Sequence, residues 1–301
     1  MNDLQKHLQQ RNVRRTIIEH IQSELGVAAS IEPEVAPEIH TPAGGLLKQT
    51  QSLNNSTASD APVDTPTMSV SEQEAVQLDP IYIESARDLE DVFREMHPWF
   101  ESKESEGNWL RREKSILKLR KITKGNAPQD FTTLYLSSIK ALLDGILKTV
   151  NSLRTTVSTI GCHLIQDIAR VAGPGLDNMV EILLQNLIKL CANTKKITAA
   201  KANETVAAIM ANVSYHVRIL QHIHGACQDK NVQPRNFASG WLKTIINKHG
   251  NHKSVIEHSG GHDLIEKCLK LGLADRDKNV RDGMRPTYWA FARRWPERSE
   301  V

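Results

Sequence analysis

Asp229-Lys230-Asn231-Val232 and Asp277-Lys278-Asn279-Val280 are the same tetrapeptide, and each opens an apolar run with the rhythm of a helix. After the second, Val280, Met284, Tyr288, Phe291 and Trp295 recur at three- and four-residue steps, which places them on one helical face. Similar openings stand upstream at Asn193-Thr194-Lys195-Lys196, at Ser152-Leu153-Arg154, and at Asn108-Trp109 after the polar stretch 101–107. Counted from Trp109 they recur at intervals of roughly 37 to 48 residues, near the HEAT period of about 40 to 47. Each interval holds two helical patterns. One helix pair cannot bury its apolar face alone, so neighbouring pairs must stack into a continuous core. The sequence therefore predicts an all-α fold, an α-solenoid of HEAT-like helix hairpins, with about five pairs between Ser85 and Trp295.

Other stripes keep the same spacing. Leu89, Phe93, Met96 and Phe100 mark one face; Phe131, Tyr135, Ile139, Leu142, Ile146 and Val150 mark the next. Val157, Leu164, Ile168 and Val171 follow, then Leu176, Val180, Leu183, Leu187 and Leu190. Strand-like alternation is absent from the pattern. Pro286 falls inside the last helical run and is expected to kink it or disturb its hydrogen-bond ladder. Trp99, Trp241, Trp289 and Trp295 are read as packing residues.

Composition divides the chain into three zones. Residues 1–27 read as a short N-terminal helix, with Ile17, Ile21 and Leu25 every four residues and Gly26 as its stop. Arg11-Asn12-Val13-Arg14 resembles Lys278-Asn279-Val280-Arg281, so this helix is read as the remnant of a preceding repeat domain. Residues 28–80 hold half of the 12 prolines and no aromatic residue. Such a stretch buries too little apolar surface to offset its ordering entropy, and it is read as a disordered linker. Residues 81–301 form the repeat domain, read as truncated at its C-terminus, where a further helix pair would begin.

The formal net charge of +3 is too small to argue for nucleic acid. No run of eighteen or more apolar residues marks a membrane span, and Met1 to Gln10 lacks the apolar core of a secretory signal. Cys162, Cys191, Cys227 and Cys268 stand singly beside apolar neighbours, the pattern of small buried side chains in a reducing compartment.

In stacked hairpins the turns joining first to second helices line one edge. Here that edge would carry Trp109, Arg112, Arg154, Lys195, Lys196, Lys230, Arg235, Arg281 and Lys278. One large aromatic beside a row of cations suits an acidic protein surface. The indole would anchor in a pocket while the charges steer and set register. Any one of these cations is adequately explained as a solvated helix end, and Arg112 could be consumed internally. The recurrence at successive turns is what carries the reading.

From about Tyr82 to Glu300 the chain resembles the N-terminal TOG region of the CLASP family, in a fungal form. The matching elements are Asn108-Trp109-Leu110-Arg111-Arg112-Glu113, Asn151-Ser152-Leu153-Arg154, and Leu273-Ala274-Asp275 leading into Val280-Arg281, closed by Tyr288-Trp289-Ala290-Phe291 and Trp295-Pro296. The resemblance implies six HEAT repeats whose intra-repeat turns contact αβ-tubulin or the microtubule lattice. Trp109 would serve at the first turn, Arg154 at the second, Lys195 and Lys196 at the third, with Lys230 and Arg235 flanking the fourth and Arg281 opening the fifth second helix. It also implies microtubule stabilisation in the cytoplasm, cytoskeleton and mitotic spindle (within the nucleus where mitosis is closed). On the same resemblance no cofactor, metal, nucleic acid, membrane or small-molecule substrate is expected. The sixth repeat is the departure: it is essentially absent from this sequence.

An enzyme is not indicated. His222 and His224 stand two apart on a helical run and point to different faces. His249, His252, His258 and His262 cluster around Gly250, Gly260 and Gly261 without a His-Glu-x-x-His or a nearby cysteine to complete a zinc spacing. Ala172-Gly173-Pro174-Gly175 is a turn with no preceding strand and no Gly-Lys-Ser/Thr, so it is not a phosphate loop. The competing reading is a general HEAT/armadillo-type scaffold, like a transport receptor or phosphatase subunit, holding an acidic peptide on its concave face. A basic solenoid for nucleic acid would need many more cations on one surface.

Overall fold

The computed structural model describes residues 78–298. The N-terminal helix of 1–27 and the linker of 28–80, but for its last three residues, lie outside the described residues. Within them the secondary structure is helical throughout, as the periodicity predicts.

Five helix hairpins follow one another. The first pairs α1 (Ala86–Glu101) with α2 (Trp109–Lys124). The second enters through α3 (Ala127–Asp130), α4 (Thr132–Ala141) and α5 (Leu143–Val150), and returns along α6 (Thr155–Ala172). A 3₁₀ turn, Gly173–Leu176, leads to α7 (Asp177–Leu190) and α8 (Lys196–Asn212). Then come α9 (Val217–Cys227) with α10 (Val232–His249), and α11 (Lys253–His258) and α12 (Gly261–Leu273) with α13 (Lys278–Arg294).

The second helices stack in chain order, α2 on α6, α8, α10 and α13, while α7, α9 and α12 stack in the facing layer. The predicted stripes line the core between the layers. Leu89, Met96, Tyr135, Ile139, Ile146, Leu164, Leu183, Leu187, Met284 and Trp295 are all buried, as are the four cysteines. Trp241 is also core, with its Nε1 donating to Asn203 Oδ1 at 2.8 Å.

Each junction between successive second helices carries a side-chain hydrogen bond. Arg120 Nε donates to Asp167 Oδ2 at 2.8 Å, and Gln166 Nε2 to Thr205 Oγ1 at 3.0 Å. Trp241 reaches back to Asn203, and Thr287 Oγ1 donates to the Ser239 carbonyl at 2.9 Å. A buried polar group left unpaired costs about 1 to 3 kcal/mol. These contacts therefore fix how each hairpin is set against the next.

Three expectations need correction. The stripe from Phe131 to Val150 is split between α4 and α5 at Leu142, although the ladder carries across it: Leu142 N donates to Ser138 O and Ile146 N to Leu142 O. The split sets Gly145 against Phe100, so closely that a Cβ there would stand 2.2 Å from Phe100 Cβ. Val171 ends its stripe exposed rather than buried. Pro286 lies exposed within α13, which continues from Lys278 to Arg294 although the ladder lacks the bond a proline cannot donate. Trp289 is 64% exposed. It stands five residues after Met284, off the Val280–Met284–Phe291 face, and adjacency to Tyr288 does not bring it inward.

Candidate functional site

Antiparallel pairing gathers the turns from first to second helices along one edge. From the second turn to the fifth these turns share one local construction. A short polar side chain accepts the backbone N–H two residues ahead: Ser152 from Arg154, Asn193 from Lys195, Asp229 from Asn231 and Asp275 from Asp277. Short polar side chains favour this bond, which closes the turn and starts the helix. In the last two turns a second cap follows: Asn231 accepts from Gln233 N, and Asp277 from Asn279 N.

This alignment shifts the repeat seen in the sequence. Asp229-Lys230-Asn231-Val232 is structurally equivalent to Asp275-Arg276-Asp277-Lys278, not to the identical tetrapeptide two residues later. Lys230 therefore stands in its turn beside Asp229, whereas Lys278 is already the first residue of α13. The cation matching Lys230 is Arg276, exposed and overlooked in the sequence because the identical letters drew the register two residues away.

The predicted residues fall into two groups. Arg112 is fully buried, with Nε donating to the Trp99 carbonyl and Nη2 to that of Ser102. Arg235 is 7% exposed; Nε and Nη2 meet Asp275 at 2.7 and 3.2 Å, and Nη1 reaches the Asp229 and Lys230 carbonyls. Arg281 repeats this on the Asp275 and Arg276 carbonyls at 2.6 and 2.9 Å. Arg235 and Arg281 each stand six residues after the turn's first polar residue, in the first turn of a second helix. There the side chain folds back over the preceding loop. All three brace the edge; Arg112 and Arg235 are buried in doing so, whereas Arg281 is half-buried and bonds through Nη1 alone. The charge fits the task, since hydrogen bonds from Arg235 hold the Asp275 carboxyl below the ordinary aspartate range.

Outward-facing residues form the second group. Trp109 is half-buried at the start of α2, and the Arg154 guanidinium lies over its ring, 5.1 Å from the centroid. Arg154 is held there by Glu104 at 2.8 Å and by Glu106. The hydrogen bonds it donates to the two carboxylates, that to Glu104 foremost, keep its pKa above the usual arginine value. Lys195 is exposed and its Nζ donates to the Leu153 carbonyl at 2.6 Å, tying the third turn to the second. Lys196 and Lys230 are exposed.

Between these cations lie apolar side chains that the charge-led reading missed. Leu153 is 86% exposed and Ile197 59%, with Leu110 and Val232 less so. The signal was present in the sequence: Leu153 sits between a capping serine and a helix start, where no side chain can reach the core. The edge is thus a mixed strip of an aromatic, aliphatics and lysines, a composition suited to a protein surface.

The histidines do not converge. Among the described residues no group of three or more His, Cys, Asp or Glu side chains is placed to hold a metal ion. No helix among them is long and apolar enough to cross a membrane.

"Protein STU1" of Coccidioides immitis is 54% identical over 297 residues, 96% of this chain and 24% of that protein. "Protein stu1" of Aspergillus fumigatus is 57% identical over 227 residues, 75% of this chain and 17% of that one. "Protein STU1" of Gibberella zeae is 44% identical over the full chain and 26% of its own length. The chain thus spans about a quarter or less of these relatives. A computationally designed armadillo repeat protein, a solved structure, aligns over 68% of this chain and 94% of its own at 13% identity, with a TM-score of 0.38. The profile described as "CLASP N terminal" matches residues 89–301, which takes in every helical hairpin described above but for the first three residues of α1. The chain belongs to the CLASP N-terminal family.

Proposed function

We propose that this chain binds αβ-tubulin through the edge formed by its first-to-second helix turns, and that binding stabilises dynamic microtubules. The observation that carries the reading is the outward strip of Trp109, Leu153, Lys195, Lys196, Ile197 and Lys230, set on turns that from the second to the fifth share one construction, in a member of the CLASP N-terminal family. Trp109 serves as the anchor, with Arg154 holding its ring from one side. Lys195, Lys196, Lys230 and the newly recognised Arg276 supply positive charge towards an acidic partner, acting on encounter and register more than on raw affinity. Leu153 and Ile197 supply apolar area that binding would remove from water. Arg112, Arg235 and Arg281 hold the turns in place behind them.

On this reading the chain carries out no chemistry of its own. A rigid edge that fits one curvature of tubulin better than another shifts the population towards that curvature. The nucleotide cycle of tubulin supplies the energy. Suppressed shrinkage or rescue, in the cytoplasm and at the mitotic spindle, follows from such a bias. The relatives' greater length adds to the proposal, because further modules on one polypeptide raise the effective concentration of each.

Co-sedimentation with polymerised tubulin, run beside free tubulin dimers, tests it. Wild-type chain should pellet with the polymer or bind the dimer, and Trp109→Ala should lose that binding while melting at the wild-type temperature. Undiminished binding by Trp109→Ala combined with Lys195→Glu/Lys196→Glu would move the contact away from this edge, towards a concave-face scaffold.

A further inference from the structure

The opposite edge, where second helices lead into the next first helices, carries a cleft of about 510 Å³. Its floor is Val213 and Ile256, both buried, and its wall includes Val255, which is 53% exposed. Lys248 and His252 stand exposed at the rim, and no Asp or Glu among the described residues lines it. His249 also lines it. That ring is 8% exposed, packs against Tyr215 with centroids 5.7 Å apart, and its Nε2 has no hydrogen-bond partner. Buried polar atoms in folded proteins are almost always paired, and Nε2 is one of the few unpaired ones among the described residues, here on a ring that lines a cleft.

The ligand's chemistry follows from the same groups. Lys248 Nζ donates to the Val213 carbonyl at 2.6 Å, which fixes the ammonium at the rim and leaves its other protons free. Asp177, the carboxylate whose charge reaches Lys248, accepts the Ser214 N–H at 3.0 Å and is not part of the lining. The rim thus favours negative charge and the floor favours apolar side chains. Burial, with Lys248 and His252 adding to it, pushes the His249 imidazole down to about 4, so the ring is neutral. A neutral imidazole can meet a peptide N–H or a peptide carbonyl, according to its tautomer.

We propose that this cleft is a docking site for a short acidic peptide segment of a partner protein. A carboxylate would lie against Lys248 and His252, an apolar side chain on Val213, Val255 and Ile256, and a backbone group on His249 Nε2. The cleft lies on the edge away from Trp109, so such a partner and the one proposed for the turns can be held together. The site does not depend on the tubulin reading.

Selection from a random-peptide display library on the immobilised full chain tests the proposal. Enriched peptides should combine Asp or Glu with an aliphatic or aromatic residue. Fluorescence anisotropy with one labelled, enriched peptide should show at least about tenfold weaker binding to Lys248→Glu/His252→Glu. His249→Phe, which keeps the ring packing and removes Nε2, should also bind less while melting no lower than wild type. Trp109→Ala should bind the peptide as wild type does. Enrichment without acidic residues, binding indifferent to the cleft variants, or equal competition by inorganic phosphate or an oligonucleotide would overturn the proposal.

Discussion

Arg154 and Arg235 are the same residue type near two turns of the same construction, yet they end in opposite places. Arg154 follows its turn's first polar residue by two positions, points along the edge, and lies over Trp109. Arg235 follows by six, folds beneath the edge, and is spent on Asp275 and two carbonyls. The difference is position in the helix start, not chemistry. A side chain at the second position precedes the helix and is free to face solvent. One a full turn in lies over the loop it has just left, where several carbonyls await a donor. The comparison predicts that inward arginines govern stability and outward residues govern binding.

The inward side should give the largest effect. Arg235→Ala leaves Asp275 buried without its partner, and breaking a buried pair in this way costs about 3 to 5 kcal/mol. Chemical denaturation should show that loss, with tubulin affinity falling only as the folded fraction falls. The sign of the pH dependence is fixed by Asp275, whose folded-state pKa is depressed. Its contribution is full above the ordinary aspartate range and vanishes as pH falls through the lowered value. Arg235→Ala should therefore flatten the acid limb of the stability profile. An unchanged limb would mean that the pair does not act as a brace.

Trp109→Ala tests the outward side. It should weaken tubulin binding by about 2 kcal/mol or more, as buried aromatic anchors do, while thermal melts stay near wild type. If Trp109→Ala melts far below wild type and binds normally once folded, Trp109 belongs with the braces. Lys195→Glu/Lys196→Glu should cost less, about 1 kcal/mol, mostly through a slower association rate whose salt dependence is flattened. The smallest effect is expected at Trp289, which the sequence placed in the core. At 64% exposure Trp289→Ser should shift stability by no more than about 0.5 kcal/mol.

Much of this architecture was legible because its signal is periodic. Leu89 to Phe100 and Leu176 to Leu190 are buried as their spacing requires, and the helix-opening turns fall near the repeat length of the sequence. The face of a single residue was less legible. Trp289 has the residue type of a packing side chain, but its angle on the helix turns it outward. Arg112, Arg235 and Arg281 were judged by charge, though a guanidinium with five donors is as well suited to gathering carbonyls as to meeting a partner. The register error at Asp277 has a different cause. Identical letters were aligned, whereas the fold aligns the acceptor that closes each turn. Leu153 and Ile197 were legible and overlooked, since attention to cations hid the aliphatics between them.

The side-chain bonds that join successive second helices have a mechanical consequence. Arg120–Asp167, Gln166–Thr205, Asn203–Trp241 and Ser239–Thr287 are discrete latches, one at every junction. Apolar stacking alone would let a helix creep along its neighbour by small amounts. A latch has no half-open state, so sliding must release a whole bond before anything moves. The turns at the edge are consequently held like graduations on a ruler. A partner spanning several of them is measured against that fixed scale, and one whose own spacing differs must bend itself or give up contacts.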